Sequence, residues 1–219
     1  VRVLLPEPPG GELVLPTWSG NEFLTTDGHR PLIRTFTPRR LRPEALELDV
    51  QIVVHGQGAA SDWSEAASTD DPVAVSGPRR GYVVDVTAQG FLLLGDETAM
   101  PAMCQLLEEL PDDKPVEVHI EIADPVARIP MPAHPRADIA WHELAPGDSP
   151  CDSLVAAAEE VRLTQGARVW AAGEAAAVQR IRRSLFDLRG WPRQHASVRG
   201  YWKQGRTAES DVERGKSAD

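Results

Sequence analysis

At 219 residues, with 42% hydrophobic side chains, 17 glycines and 19 prolines, the chain has the composition of one large or two small globular domains and not of a low-complexity segment. No apolar run approaches the roughly 18 residues of a membrane-spanning helix, and the two cysteines, Cys104 and Cys151, exclude a disulfide framework or a CxxC metal pair and fit a reducing cytoplasm. A net charge of -10 argues against general affinity for nucleic acid or anionic lipid, yet residues 180–206 carry eight basic side chains against one acid, Asp187, a local +7 within a remainder of -17.

The opening VRVLLPEPPGG reads as a strand with no signal-cleavage pattern and no initiating Met, so further native residues are expected before Val1. Residues 32–37 and 46–54 are rich in β-branched side chains, and 73–75 and 82–86 are short apolar runs between Gly and Pro breaks; all four predict strands. Residues 61–67 predict a helix with Ser61 as its N-cap and Glu65 near the capping-box position. Strand following strand implies an antiparallel barrel or sandwich.

Beyond Gly90 the rhythm changes. Residues 91–94 (FLLL) predict a buried strand and 97–110 a helix, with Met103, Leu106, Leu107 and Leu110 on one face and Pro101 in its first turn. A strand at 116–122, a proline-rich loop at 125–135 and a strand at 139–144 follow. A helix carrying Leu154, Ala157, Ala158 and Val161, a strand at 168–172, and a helix carrying Val178, Ile181, Leu185 and Leu188 complete the series. This alternation predicts a parallel α/β sheet. The expected division is a β barrel at 1–88, an α/β domain with the basic segment at 89–206, and a polar tail at 207–219.

Four stretches carry chemistry. RTFT at 34–37 supplies a cation (Arg34), an aromatic face (Phe36) and a hydroxyl (Thr37), the three group types a flavin asks for, and strand alternation can present them together. HGQGAASDW at 55–63 is a glycine-containing loop entering a helix, where backbone N–H groups and the helix dipole suit a phosphate. LLLGDETAMPA at 92–102 and VWAAGE at 169–174 each end a strand and open a helix, at the sheet edge where nucleotides bind, but neither has the GxGxxG pattern. Taken singly, each stretch is also an ordinary strand or turn.

Taken in order, RTFTPRR, HGQGAASDW, SGPRRG, LLLGDETAMPA, WAAGE and RGYWKQG resemble the siderophore-interacting proteins, FAD-dependent ferric-siderophore reductases of the ferredoxin-reductase-like superfamily. The resemblance spans about residues 1–206 and implies an FAD-binding antiparallel barrel followed by an NAD(P)H-binding parallel-sheet domain. It implies that Arg34, Phe36 and Thr37 contact the flavin, Thr37 at its reactive edge, and that His55, Gly58, Ala59, Ala60, Ser61 and Trp63 surround its phosphates or adenosine. Gly95, Asp96, Glu97, Thr98, Ala172, Gly173 and Glu174 would meet the nicotinamide nucleotide. The family usually has Tyr at Phe36 and Pro at Ala59, so stacking survives here while a phenol hydrogen bond does not. NADPH and NADH both remain open as donors; a 2'-phosphate requires a cation, and Arg180 or Arg183 could serve if the helix points it inward.

The implied partner is a ferric siderophore, anionic if the basic segment serves it, with Arg39, Lys203 and Arg206 as contacts. No nucleic acid, no membrane insertion, a monomeric state and a cytoplasmic location are expected. The alternatives are a general flavin reductase or diaphorase and a non-enzymatic binding protein. His134, Asp138 and His142 are not expected to hold a metal because Pro132 and Pro135 break any helix there. His119 and Glu121 read as an exposed polar strand edge, Cys104, Trp63, Trp141 and Trp170 as core, and Tyr201 and Trp202 as lining of a ligand cleft.

Overall fold

A computed structural model describes residues 1–56, 58–78 and 81–205, which leaves Arg206 and the tail at 207–219 outside the described residues. The chain forms two compact units, Val1–Gly81 and a second from Tyr82 onward.

The first unit is antiparallel. Strand β1 (Arg2–Leu4) is followed by the short hairpin β2 (Thr17–Trp18) and β3 (Phe23–Leu24), then β4 (Ile33–Thr35), β5 (Pro38–Arg42) and β6 (Glu47–Val50). Helix α1 (Ala59–Ala66) and strand β7 (Ala74–Ser76) end it. The sheet order is β4-β1-β7, with β2-β3 and β5-β6 as separate two-stranded ladders. Val3, Leu5 and Leu32 form its small core, against which Phe36, Ala59, Ala60 and Trp63 pack.

Two expectations are corrected here. Residues 82–86 form no strand: the Asp85 carboxylate accepts from Thr87 N (3.0 Å) and Thr87 Oγ1 (2.6 Å) and pairs with Arg168, and these local bonds replace a ladder. Ser61 is not the N-cap of α1; Gly58 is, at φ 91, a conformation that side chains bearing Cβ rarely adopt. The helix therefore starts before Ser61, whose buried hydroxyl accepts from His55 N at 3.2 Å.

The second unit is a three-layer α/β fold. Strand β8 (Phe91–Asp96) leads through a 3-10 turn (Glu97–Ala99) to α2 (Met100–Glu109), then come β9 (Val116–Ile122), β10 (Ala137–Glu143) and α3 (Asp152–Glu160). Strand β11 (Arg168–Glu174), helix α4 (Ala175–Arg182) running into a π-helical turn (Arg183–Leu188), and strand β12 (Ala196–Trp202) complete it. All five strands are parallel, in the order β10-β9-β8-β11-β12. All six residues of β8 are buried because alternate side chains enter different cores. Phe91 and Leu93 join Met103, Leu107, Val118 and Ile120 on one face, and Leu92 and Leu94 join Leu154, Val169, Ile181 and Leu185 on the other.

The chain lays down β8, β9 and β10 outward, then returns to put β11 on the other side of β8, so the order reverses between β8 and β11. Such a reversal leaves a crevice beyond the carboxyl ends of the two strands. Gly95 lies in the last turn of β8 before it, where an added Cβ would come 2.6 Å from Ala99 Cβ and 2.7 Å from Met103 Sδ. Gly95→Ala is expected to cost about 1 to 3 kcal/mol by overpacking, read as a lower denaturant midpoint. An unchanged midpoint would mean that the turn at Glu97–Ala99 yields freely.

Candidate functional site

In the first unit, the RTFT and HGQGAASDW stretches converge. Phe36, which follows β4, shares one apolar cluster with Ala59, Ala60 and Trp63 of α1. Alternation along β4 leaves Arg34 half-buried, with Nη1 donating to Ile33 O at 3.0 Å, and Thr37 half-buried before β5. No side chain among the described residues caps the N-terminus of α1, and Gly56 and Gly58 both hold left-handed φ values of 69° and 91° with open space where a Cβ would stand. Uncapped first-turn N–H groups carry the positive end of the helix dipole. The indole Nε1 of Trp63 is buried with no hydrogen-bond partner among the described residues. Unmet donors of this kind ask for an acceptor. His55 is exposed at the mouth of the loop, and Arg39, half-buried, lies on β5.

In the second unit, three strands carry a buried carboxylate at or beside their carboxyl ends: Asp96 on β8, Glu121 on β9 and Glu174 on β11. Asp96 Oδ1 accepts from Thr98 N (2.9 Å) and Thr98 Oγ1 (2.5 Å), and its Oδ2 accepts from Trp202 Nε1 (2.6 Å) and the Cys151 thiol (3.5 Å). Glu121 accepts from Cys151 N and from Ser153 N (3.2 Å) and Oγ (2.5 Å), which caps α3 from a distant strand. Glu174 Oε2 accepts from Ala176 N (2.6 Å) and Ala177 N (2.9 Å), and its Oε1 from Gln204 N (3.2 Å). The amides of Thr98 and of the first turn of α4 are thus already taken by carboxylates of the chain itself.

Burial raises the pKa of Asp96 above the ordinary carboxylate value, against the pull of its hydrogen bonds, and burial beside Asp96 pushes the Cys151 thiol up, so it is no reactive thiolate. Glu97 is raised by burial too and accepts from Ala123 N. Gly173 is required by this crowding: a Cβ there would come 2.8 Å from Asp96 Oδ2 and 3.0 Å from Cys151 Sγ. Ala172 is buried between β8 and β12, Lys203 is exposed just past β12, Tyr201 meets Trp170 edge-on at 6.4 Å, and Arg180 pairs with Asp152 at 2.5 Å.

His119 and Glu121 do not form an exposed edge as their alternation implied. Glu121 is buried under α3, and His119 is covered by its neighbour on β10, the rings of His119 and His142 stacking at 5.2 Å. Glu117 Oε1 lies 3.0 Å from His119 Nε2, and His119 Nδ1 lies 3.0 Å from His142 Nε2. A carboxylate only accepts, so a neutral His119 carries its proton on Nε2 and accepts at Nδ1 from His142. Burial, then the neighbouring His119, lowers the His142 pKa below 6.5, with Glu121 opposing. A lowered imidazole pKa contributes stability that is complete above 6.5 and lost as pH falls through the folded value. Unfolding midpoints are therefore expected to drop between pH 7 and 5, and less in His142→Gln. No cluster of three or more metal-ligating side chains exists among the described residues, His134, Asp138 and His142 included. Nor is any described helix long and apolar enough to cross a membrane.

An antiparallel unit followed by a parallel sheet with its order reversed at β8 and β11 is the arrangement of ferredoxin-reductase-like proteins, and the chain compares accordingly with known ones. The siderophore-interacting protein family matches residues 88–205, and the siderophore-interacting FAD-binding domain matches residues 1–82. The chain belongs to the siderophore-interacting protein family. A siderophore utilization protein from T. fusca superposes with a TM-score of 0.81 at 34% identity over 94% of this chain and 79% of that one. Ferric vibriobactin reductase ViuB of Vibrio cholerae is 28% identical over 214 residues, 96% of this chain and 78% of its own. Phthalate dioxygenase reductase, at 17% identity and a TM-score of 0.54 over 95% of this chain and 70% of that one, shares the fold. The first unit of this siderophore-interacting protein fits its family's cofactor FAD: an uncapped helix N-terminus for phosphate, an aromatic ring for the flavin, a cation on the adjoining strand and an unmet indole donor.

Proposed function

We propose that this protein is an FAD-dependent reductase that takes electrons from NADPH or NADH and reduces ferric siderophores in the cytoplasm, acting as a monomer. The observation that carries the reading is the pairing, in one chain, of the FAD-binding and siderophore-interacting domains of a family that includes a ferric vibriobactin reductase. Bound FAD supplies the exchange of a two-electron donor for a one-electron acceptor. In this reading Arg34 and the α1 loop (His55, Gly58, Ala59, Ala60, Ser61, Trp63) hold the cofactor's phosphates and adenosine. Phe36 lies against its ring, and Thr37 places a hydroxyl at its reactive edge. Gly95, Asp96, Glu97, Thr98, Ala172, Gly173 and Glu174 border the crevice proposed for the nicotinamide nucleotide. Since Thr98 N, the α4 amides and the Thr98 hydroxyl proton are all engaged by carboxylates of the chain, Thr98 Oγ1 offers the nucleotide an acceptor only. Arg39, Lys203 and Arg206 are the proposed contacts to an anionic siderophore.

The deciding experiment is steady-state oxidation of NADPH and of NADH by the FAD-loaded protein, with and without a ferric siderophore. Turnover that requires the siderophore supports the proposal. Equal rates with any ferric chelate or free flavin would make the protein a diaphorase, and no turnover would leave a binding protein. An electropositive cleft steers anions and is screened by salt. kcat/KM for an anionic ferric complex is thus expected to fall as salt rises from 50 to about 500 mM, while that of a neutral complex stays flat. Equal salt responses would remove the basic segment from the siderophore site.

A further inference from the structure

We propose that Asp96 and Glu174 are positioning residues for Lys203, clamping the chain on both sides of it so that its ammonium is presented at a fixed place on the carboxyl edge of the sheet. The inference rests on the reading of Lys203 as a siderophore contact. Lys203 follows β12, the edge strand of the sheet, and is itself exposed. Left alone, such a strand end would fray. Here the residue before Lys203 and the residue after it are each tied to a different buried carboxylate. Trp202 donates its indole N–H to Asp96 Oδ2 at 2.6 Å, and Gln204 donates its backbone N–H to Glu174 Oε1 at 3.2 Å.

The local backbone is built for this. β12 runs in register with β11 as far as Gly200 opposite Gly173, and then skips, so that Trp202 and not Tyr201 stands opposite Glu174. A bulge of this kind re-aims the following side chain, in this case the indole toward Asp96 two strands away. Gly200 lets the strand close on α4, where a Cβ would come 3.2 Å from Ala175. Each carboxylate also caps a turn of its own, Asp96 at Thr98 and Glu174 at Ala176 and Ala177, so neither can swing away from the clamp. The GDET and AGE stretches thus act on the GYWKQG stretch, three motifs remote in sequence joined at one lysine. Holding the backbone on both sides of the lysine removes the main-chain share of the ordering cost when an anion binds.

The test uses the full FAD-loaded protein. Asp96→Asn is the informative change: asparagine still caps Thr98 through its carbonyl oxygen, but turns an N–H donor toward the Trp202 donor. With the nicotinamide nucleotide held at saturation, Asp96→Asn and Trp202→Phe are each expected to raise KM for an anionic ferric siderophore roughly fivefold. In a Lys203→Met background, which raises KM by itself, Asp96→Asn is expected to add almost nothing, because residues acting as one unit are non-additive. Effects that multiply would overturn the proposal. Amide hydrogen exchange at Gln204 reads the clamp without any substrate: slow in the parent, at least about tenfold faster in Glu174→Gln, with Val198 unaffected. Free exchange at Gln204 in the parent would overturn the clamp itself. An unchanged KM in Lys203→Met beside slow exchange at Gln204 would instead overturn the siderophore role of Lys203, and with it the purpose proposed for the clamp.

Discussion

Replacing Glu121 with alanine is expected to destabilise the second unit by about 2 to 4 kcal/mol, among the larger losses a single side chain outside the apolar core can produce. The side chain is buried and closes the N-terminus of α3 from a strand thirty positions earlier, accepting from Cys151 N, Ser153 N and Ser153 Oγ. Truncation leaves Cys151 N buried without an acceptor, about 1 to 3 kcal/mol, and removes a helix cap, about 0.5 to 2 kcal/mol. Cys151 itself sits at φ 64, so the turn into α3 is already unfavourable for a residue with a Cβ and depends on that bond. Glu121→Gln keeps one acceptor and is expected to lose less. Urea unfolding followed by tryptophan fluorescence checks the order. Equal losses for Ala and Gln would show that the carboxylate's charge, not its acceptor geometry, carries the effect.

Glu121 also marks where sequence reading runs out. β9 is legible to the residue, Val116–Ile122, because VEVHIEI alternates apolar and polar side chains over a full strand length between breaks. The same run conceals Glu121, since alternation alone assigns His119 and Glu121 to one face without saying that α3 covers it. Asp96 and Glu174 left a local signal, an acid ending an apolar strand just before a helical turn. Glu121 left none, because the helix it caps starts thirty residues later. β12 escaped for another reason: it is an edge strand whose Arg199, Gly200 and Tyr201 are exposed, and polar edge strands lack the apolar period by which strands are found. In the first unit the flavin motifs were legible as residue types. That Phe36 and Trp63 meet on one cluster follows only from the pairing of β4 with β1, which brings the strand back over Val3 and Leu5.

Arg34→Ala is expected to weaken FAD binding by about 1.5 to 3 kcal/mol, the range for a hydrogen bond to a charged group, or about ten- to a hundredfold in Kd. Arg34 is held half-buried on β4, opposite Val3 in the antiparallel register, and one guanidinium nitrogen is fixed on Ile33 O at 3.0 Å. That bond orients the planar fork, whose geometry matches a pyrophosphate, with little rotamer freedom to lose. Arg34→Lys keeps the charge but not the fork, so it is expected to recover only part of the affinity. Thr37→Ala should separate from both: its hydroxyl is proposed to act at the flavin's reactive edge, so the reduction rate should fall while cofactor content on gel filtration stays near that of the parent. Flavin content unchanged in Arg34→Ala would reduce the arginine to a packing residue of β4. Flavin lost in Thr37→Ala as readily as in Arg34→Ala would place the hydroxyl among the binding groups, away from the electron-transfer step.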